Sequence, residues 1–234
     1  MRSARAGSTR NDDAGIAKRL RAALDEGGDL REAAALLKSI ARSKTQDADL
    51  LVDLGYAQLA EGDKVAARHA FERALAVRPG DSAIRRPLAQ IYESTGKPAL
   101  AAKTLAAIPR ESASPRVLGD VIRLYFGLKR YAEAGEACAA LEANDREHAL
   151  LAQHGLTLSR IKRGDWRGAL DVALSATRLD RFDLTTAFLA YAKDRLFTRV
   201  PDAERREADL EERFFAELRE HETLHAEDEE AAGG

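Results

Sequence analysis

Apolar residues along this chain return at i, i+3, i+4 and i+7, the spacing of one helical face, in blocks separated by short polar turns. The stretch "LGYAQLAEGDKVAARHAFERALAVRPG", from Leu54 to Gly80, holds two such stripes with "EGDK" between them. Its skeleton returns in "GGDLREAAALLKSI", "TGKPALAAKTLAAI", "LKRYAEAGEACAAL" and "RGDWRGALDVALSA". The alanine opening the second stripe falls at Ala33, Ala67, Ala101, Ala134 and Ala169, at intervals of 34, 34, 33 and 35 residues. Glycine turns precede four of them, at Gly28-Asp29, Gly62-Asp63, Gly96-Lys97 and Gly164-Asp165. Each block is predicted to be two antiparallel helices. One pair cannot bury its apolar faces alone, so the pairs must stack. Pro79 ends a second helix because it cannot continue the hydrogen-bond ladder. Pro98 fits a first turn, where its missing N–H costs little. Pro87 falls inside a predicted helix and removes a bond or bends it.

The frame resembles the tetratricopeptide repeat, W-x2-L-G-x2-Y…A-x3-F…P over 34 residues. The best copy has Leu51, Leu54-Gly55, Ala67, Phe71, Ala74 and Pro79. Leu88-Ala89 and Tyr92 fill the next copy. Leu118, Val121, Tyr125, Ala134 and Cys138 fill the fourth, and Leu156, Ala169, Ala173 and Ala176 the fifth. The first has Ala17, Leu20, Leu24, Ala33 and Leu37. The resemblance implies an all-α, right-handed α-solenoid of about five helix pairs over residues 14–183. After it, "DLTTAFLAYAKDRLF" reads as a lone first helix. "ERREADLEERFFAELREHETLH" reads as a long helix with Leu210, Phe214, Leu218 and His221 or Leu224 on one stripe. Residues 184–225 are therefore expected to cap the repeat array, and the ends, 1–12 and 226–234, to be disordered.

Charge changes this picture at one place. Formal net charge is −2, which offers no general attraction for nucleic acid. Residues 202–230, however, hold thirteen acids and four arginines, a net of −9, so the remainder carries +7. The single cysteine, Cys138, excludes an internal disulfide framework and suits a reducing compartment. No stretch approaches the ~18 uninterrupted apolar residues of a membrane span, and "MRSARAGSTRNDDAG" lacks the apolar core of a secretory signal. The expected setting is cytoplasmic.

Candidate chemistry is sparse. "HETLH", from His221 to His225, matches H-E-x-x-H, two histidines on one helical face with an intervening glutamate, and raises a metal-dependent hydrolase as an alternative. It lies on an acidic terminal helix with nine residues after it, too few for a further ligand and its supporting fold. A solvated helix surface is the better reading, with no catalytic residue, metal or cofactor expected. His148 and His154 make no convincing metal pair. Cys138 stands in the repeat's large-residue slot and reads as a buried thiol. Trp166 reads as helix packing. An RNA-binding helical repeat is a further alternative, but it calls for a strongly basic surface.

The resemblance also implies where a ligand lies, in the concave groove lined by the first helix of each pair. Inward positions then include Lys18, Arg19, Asp53, Tyr56, Arg86, Gln90, Arg123, Phe126, His154, Leu158 and Lys162. The peptide-binding candidates are Tyr56, Arg86, Gln90, Arg123, Phe126, His154 and Lys162, because aromatic and cationic side chains anchor protein interfaces. The expected role is a non-enzymatic adaptor or assembly scaffold. Its partner is another protein or an extended acidic segment, with no nucleic acid or membrane, and self-association is compatible with this. The Lys/Asn clamp of co-chaperones is not reproduced: only Lys18 matches, while Ala22, Asp53, Ala83 and Pro87 fill the other slots. A basic groove and an acidic end further suggest that residues after Leu224 compete with an acidic ligand, against the plainer role of keeping the protein soluble.

Overall fold

The computed structural model describes residues 15–16, 18–19, 36–37, 39–41, 45–109, 113–141, 146–179, 183–197 and 200–232, with the backbone alone at 146–147 and 221–232. The first repeat frame and residues 1–12 lie outside most of this. The described residues form helices and turns, and no strand occurs among them. The helices are α1 (Ala48–Ala60), α2 (Lys64–Val77), α3 (Ser82–Ser94), α4 (Pro98–Ala106), α5 (Pro115–Gly127), α6 (Tyr131–Ala140), α7 (Arg146–Lys162), α8 (Trp166–Leu179), α9 (Asp183–Phe197) and α10 (Ala203–Ala232). They divide into two compact units, residues 1–104 and 105–234.

Local chemistry sets the helix ends. Asp47, Asp63, Asp81 and Ser114 are N-caps whose side-chain oxygens accept from backbone N–H groups one turn on. Gly62, Gly96 and Gly164 take φ of 82°, 73° and 74° in the turns between paired helices, a conformation that costs glycine little. At the equivalent place in the fourth repeat stands Lys129, forced to φ 57°. Pro98 opens α4 and Pro87 sits inside α3, as the sequence requires.

In the first unit α2 packs against both α1 and α3. Its core gathers Leu51, Ala67, Phe71, Ala74, Ile84, Leu88 and Ile91. The Phe71 ring lies over Gly55, where an added Cβ would stand 2.7 Å from Cζ. The small residue of the repeat frame is thus the seat for its large one. In the second unit α5, α6, α7, α8 and α9 pack each on the next, with Ala134, Cys138, Ala169 and Ala173 buried where helices approach closely.

The last helix departs from the expected end cap. It packs on α5, α7 and α9 together, which are the first helices of successive pairs. It also continues to Ala232, through residues expected to be disordered. No helix among the described residues is long and apolar enough to cross a membrane.

Candidate functional site

In each repeat the candidate binding positions lie on the first helix. On α1 and α3 of the first unit they range from exposed to half-buried. Tyr56 is 51 % exposed and touches Phe71 edge-on, with ring centroids 5.2 Å apart. Gln90 is exposed, and Arg86 and Asp53 are half-buried. Asp49, at the start of α1, is paired with Arg78 beyond α2. The carboxylates of Asp49, Asp81 and Asp47 together raise the Arg78 guanidinium above its ordinary pKa. Lys18 and Arg19 are exposed helical residues.

On the second unit three of the four candidate positions are covered. Phe126 is 2 % exposed. Its ring packs against Phe214 and Phe215 of α10, both with centroids 5.7 Å away, and against Tyr131 at 6.0 Å. His154 is 1 % exposed. Its Nδ1 lies 2.6 Å from Glu217 Oε2 and its Nε2 2.8 Å from Thr185 Oγ1. An ionised carboxylate can only accept, so Nδ1 carries the proton and Nε2 pairs with the hydroxyl in either direction. The ring also meets Phe188, centroid to centroid at 5.6 Å. Lys162 Nζ lies 2.6 Å from Glu211 Oε2, and Leu158 is fully buried. Arg123 is half-buried and pairs with Asp120 on its own helix at 3.0 Å. The expectation that Phe126, His154 and Lys162 line an unfilled groove is therefore corrected. Each is engaged by α10, two of them through carboxylates.

The contact is built to fit. Leu210, Phe214 and Leu218 form the buried stripe of α10, four residues apart and hence on one face. Phe214 reaches the α7 backbone because residue 155 is glycine. A Cβ there would stand 3.0 Å from the ring on one side and collide with Cys138 Sγ on the other. At its N-terminal end α10 is fastened to α9. Tyr191 donates to Glu207 Oε1 at 2.5 Å, and Arg206 pairs with Asp194 at 3.1 Å while lying over the Tyr191 ring. Burial, then the Glu207 carboxylate, pushes the Tyr191 hydroxyl well above its ordinary pKa.

Sequence reasoning missed Gly155, Glu211, Glu217 and Phe214 as parts of this face. A glycine within the apolar pattern of a first helix was the one available signal, since it marks close approach of another element. Trp166 does serve packing: it meets Tyr191 edge-on with centroids 6.3 Å apart, and Arg195 lies 4.2 Å from its ring centroid. Cys138 is fully buried, and burial pushes its thiol far above the usual range. His148 and His154 lie on one helix, six residues apart. His221, Glu222 and His225 fall on the helical backbone of α10, but their side chains lie outside the described residues. Among the described residues no group of three or more His, Cys, Asp or Glu stands close enough to hold a metal ion.

Residues 58–119 match the tetratricopeptide-repeat family model. Solved structures with a similar course include YrrB, described as a TPR protein with an unusual peptide-binding site. It is 12 % identical with TM-score 0.49, over 82 % of this chain and 97 % of that one. A tetratricopeptide repeat protein from Parabacteroides merdae is 18 % identical with TM-score 0.48, over 93 % and 88 %. MamA is 16 % identical with TM-score 0.48, over 77 % and 94 %. No curated protein matches the sequence.

Proposed function

We propose that this tetratricopeptide-repeat protein is a non-enzymatic adaptor or assembly scaffold, and that it takes a segment of a partner protein on the α1–α3 face of its first unit. The observation that carries this reading is Tyr56, a large aromatic left 51 % exposed on a first helix. Gln90 is exposed and Arg86 half-buried on the next one. Tyrosine gives contact area at modest entropic cost, and both tyrosine and arginine recur among the residues that dominate protein interfaces. The partner segment is an extended one, contacting Tyr56, Arg86 and Gln90 together. Phe126, His154 and Lys162 leave the set of residues available to it while α10 is in place.

The experiment is affinity capture with the full chain and with a Tyr56→Ala/Gln90→Ala variant, read by quantitative mass spectrometry. The same partner should be recovered by the parent and lost by the variant, with circular dichroism unchanged. Equal recovery by both proteins removes this face from the function.

A further inference from the structure

The second unit shows directly what its own first-helix face can hold. Three features of α10 meet three features of that face. The stripe Leu210, Phe214, Leu218 is buried, with Phe214 over Gly155 and beside Phe126. Glu211 meets Lys162, and Glu217 meets His154, each at 2.6 Å. The two carboxylates sit on either side of the central aromatic, one toward each end of the stripe. The occupant is thus an amphipathic helix, not an extended strand, and its acids answer the Lys162 ammonium and the His154 imidazole on the face.

We propose that this face is a binding site for acidic amphipathic helices, and that α10 is its internal, displaceable ligand. The outside partner it fits is a helix of the same chemistry: an apolar residue every fourth position with an aromatic at the centre, and a carboxylate about one turn before and after that aromatic. Side chains hold α10 to α5 and α7, and a competing helix can remake every one of those contacts. Tethering gives α10 the advantage, because a linked ligand acts at high effective concentration. The apparent affinity for an outside helix is therefore the intrinsic one reduced by the fraction of molecules with the face vacant. Weakening α10 in the chain, with the face untouched, must tighten binding from outside. This goes beyond the role given to the first unit and does not depend on Tyr56.

The probe is a fluorescein-labelled synthetic peptide of residues 203–220, titrated with the full-length protein and read by anisotropy. A Glu211→Gln/Glu217→Gln chain, which keeps Lys162 and His154, should bind the peptide about tenfold more tightly than the parent, the factor that corresponds to ~1.4 kcal/mol lost by the internal helix. A Lys162→Glu chain also loosens α10 but should show no such gain, and a peptide carrying both Glu→Gln changes should bind more weakly than the parent peptide. Tyr56→Ala should leave peptide binding unchanged. Flat anisotropy with the parent and with every variant, all folded by circular dichroism, makes α10 a fixed part of the core and overturns the proposal. Binding that ignores Lys162, or that is lost with Tyr56→Ala, overturns it as well by placing the peptide elsewhere.

Discussion

The two units use one repeat frame and finish it differently. In the first, the large aromatic comes from inside the pair: Phe71 on α2 fills the seat over Gly55 on α1, and the outer side of α1 keeps Tyr56 exposed. In the second, the slot of Phe71 holds the smaller Cys138, and an aromatic from beyond the repeats, Phe214, arrives over Gly155 from the other side. Apolar burial stabilises both, at roughly 25 cal/mol per Å² removed from water, but its placement differs. One unit buries its aromatic between paired helices and, among the described residues, keeps Tyr56 and Gln90 of its first helices exposed. The other extends its core across that face. A repeat frame therefore specifies how helices pair, while in the second unit the exposure of the first helices depends on α10, C-terminal to the last repeat.

The largest effects should come from the two aromatics. Phe71→Ala and Phe214→Ala each remove a fully buried ring and should each cost ~3–5 kcal/mol. Hydrogen exchange locates the loss: faster exchange in α1, α2 and α3 for the first, and in α5, α7 and α10 for the second. If Phe214→Ala leaves α5 and α7 as protected as before, the core does not extend across the face and the contrast fails. Gly155→Ala comes next. Its Cβ meets Cys138 and Phe214 together, so overpacking should cost ~1–3 kcal/mol in a denaturant melt. Adding Phe214→Ala on top should relieve part of that cost, a coupling that separate, additive sites would not show.

The helix pairs are legible in the sequence, because glycines at 62, 96 and 164 and alanines at 67, 101, 134 and 169 act over a few residues, and their spacing is in the chain itself. The cap at Asp63 and the break at Pro79 are local in the same sense. The amphipathic stripe of Leu210, Phe214 and Leu218 is equally plain. Its destination is not, because a stripe states that a face must be covered and does not name the surface that covers it. The binding candidates divide on this point. Tyr56 and Gln90 are exposed and Arg86 half-buried on their helices, whereas Phe126, His154 and Lys162 are engaged by α10. The acids after Leu224, expected to compete in the groove, have side chains outside the described residues; among the described ones Glu211 and Glu217 meet Lys162 and His154.

Two smaller effects sharpen the contrast. Glu211→Gln removes the charge facing Lys162 and should cost no more than ~1 kcal/mol, as partly buried ion pairs do. The loss should shrink with added salt as the Debye length falls to ~3 Å at 1 M. A salt-independent loss would mean that the pair acts through packing. Lys129→Gly should be the smallest change and of opposite sign. It relieves a left-handed backbone at φ 57°, worth ~1–2 kcal/mol for an L-residue, less the added freedom of glycine in the unfolded chain, ~0.4–1 kcal/mol. A gain of about 0.5 kcal/mol, read as a slightly raised Tm, is expected; a lowered Tm would show that the Lys129 side chain holds the turn.

The buried Cys138 makes the chain its own stopwatch. It is the single thiol, it is sealed between α6 and α7, and burial disfavours its thiolate, so no thiolate is there to attack a disulfide reagent while the second unit stays shut. Each reaction event therefore requires an opening. Timing the colour change of an aromatic disulfide in native buffer reads the open population, and at saturating reagent the opening rate itself, with no residue replaced. Run with and without an outside helix, the same clock tells whether α6 and α7 breathe faster when α10 is lifted away.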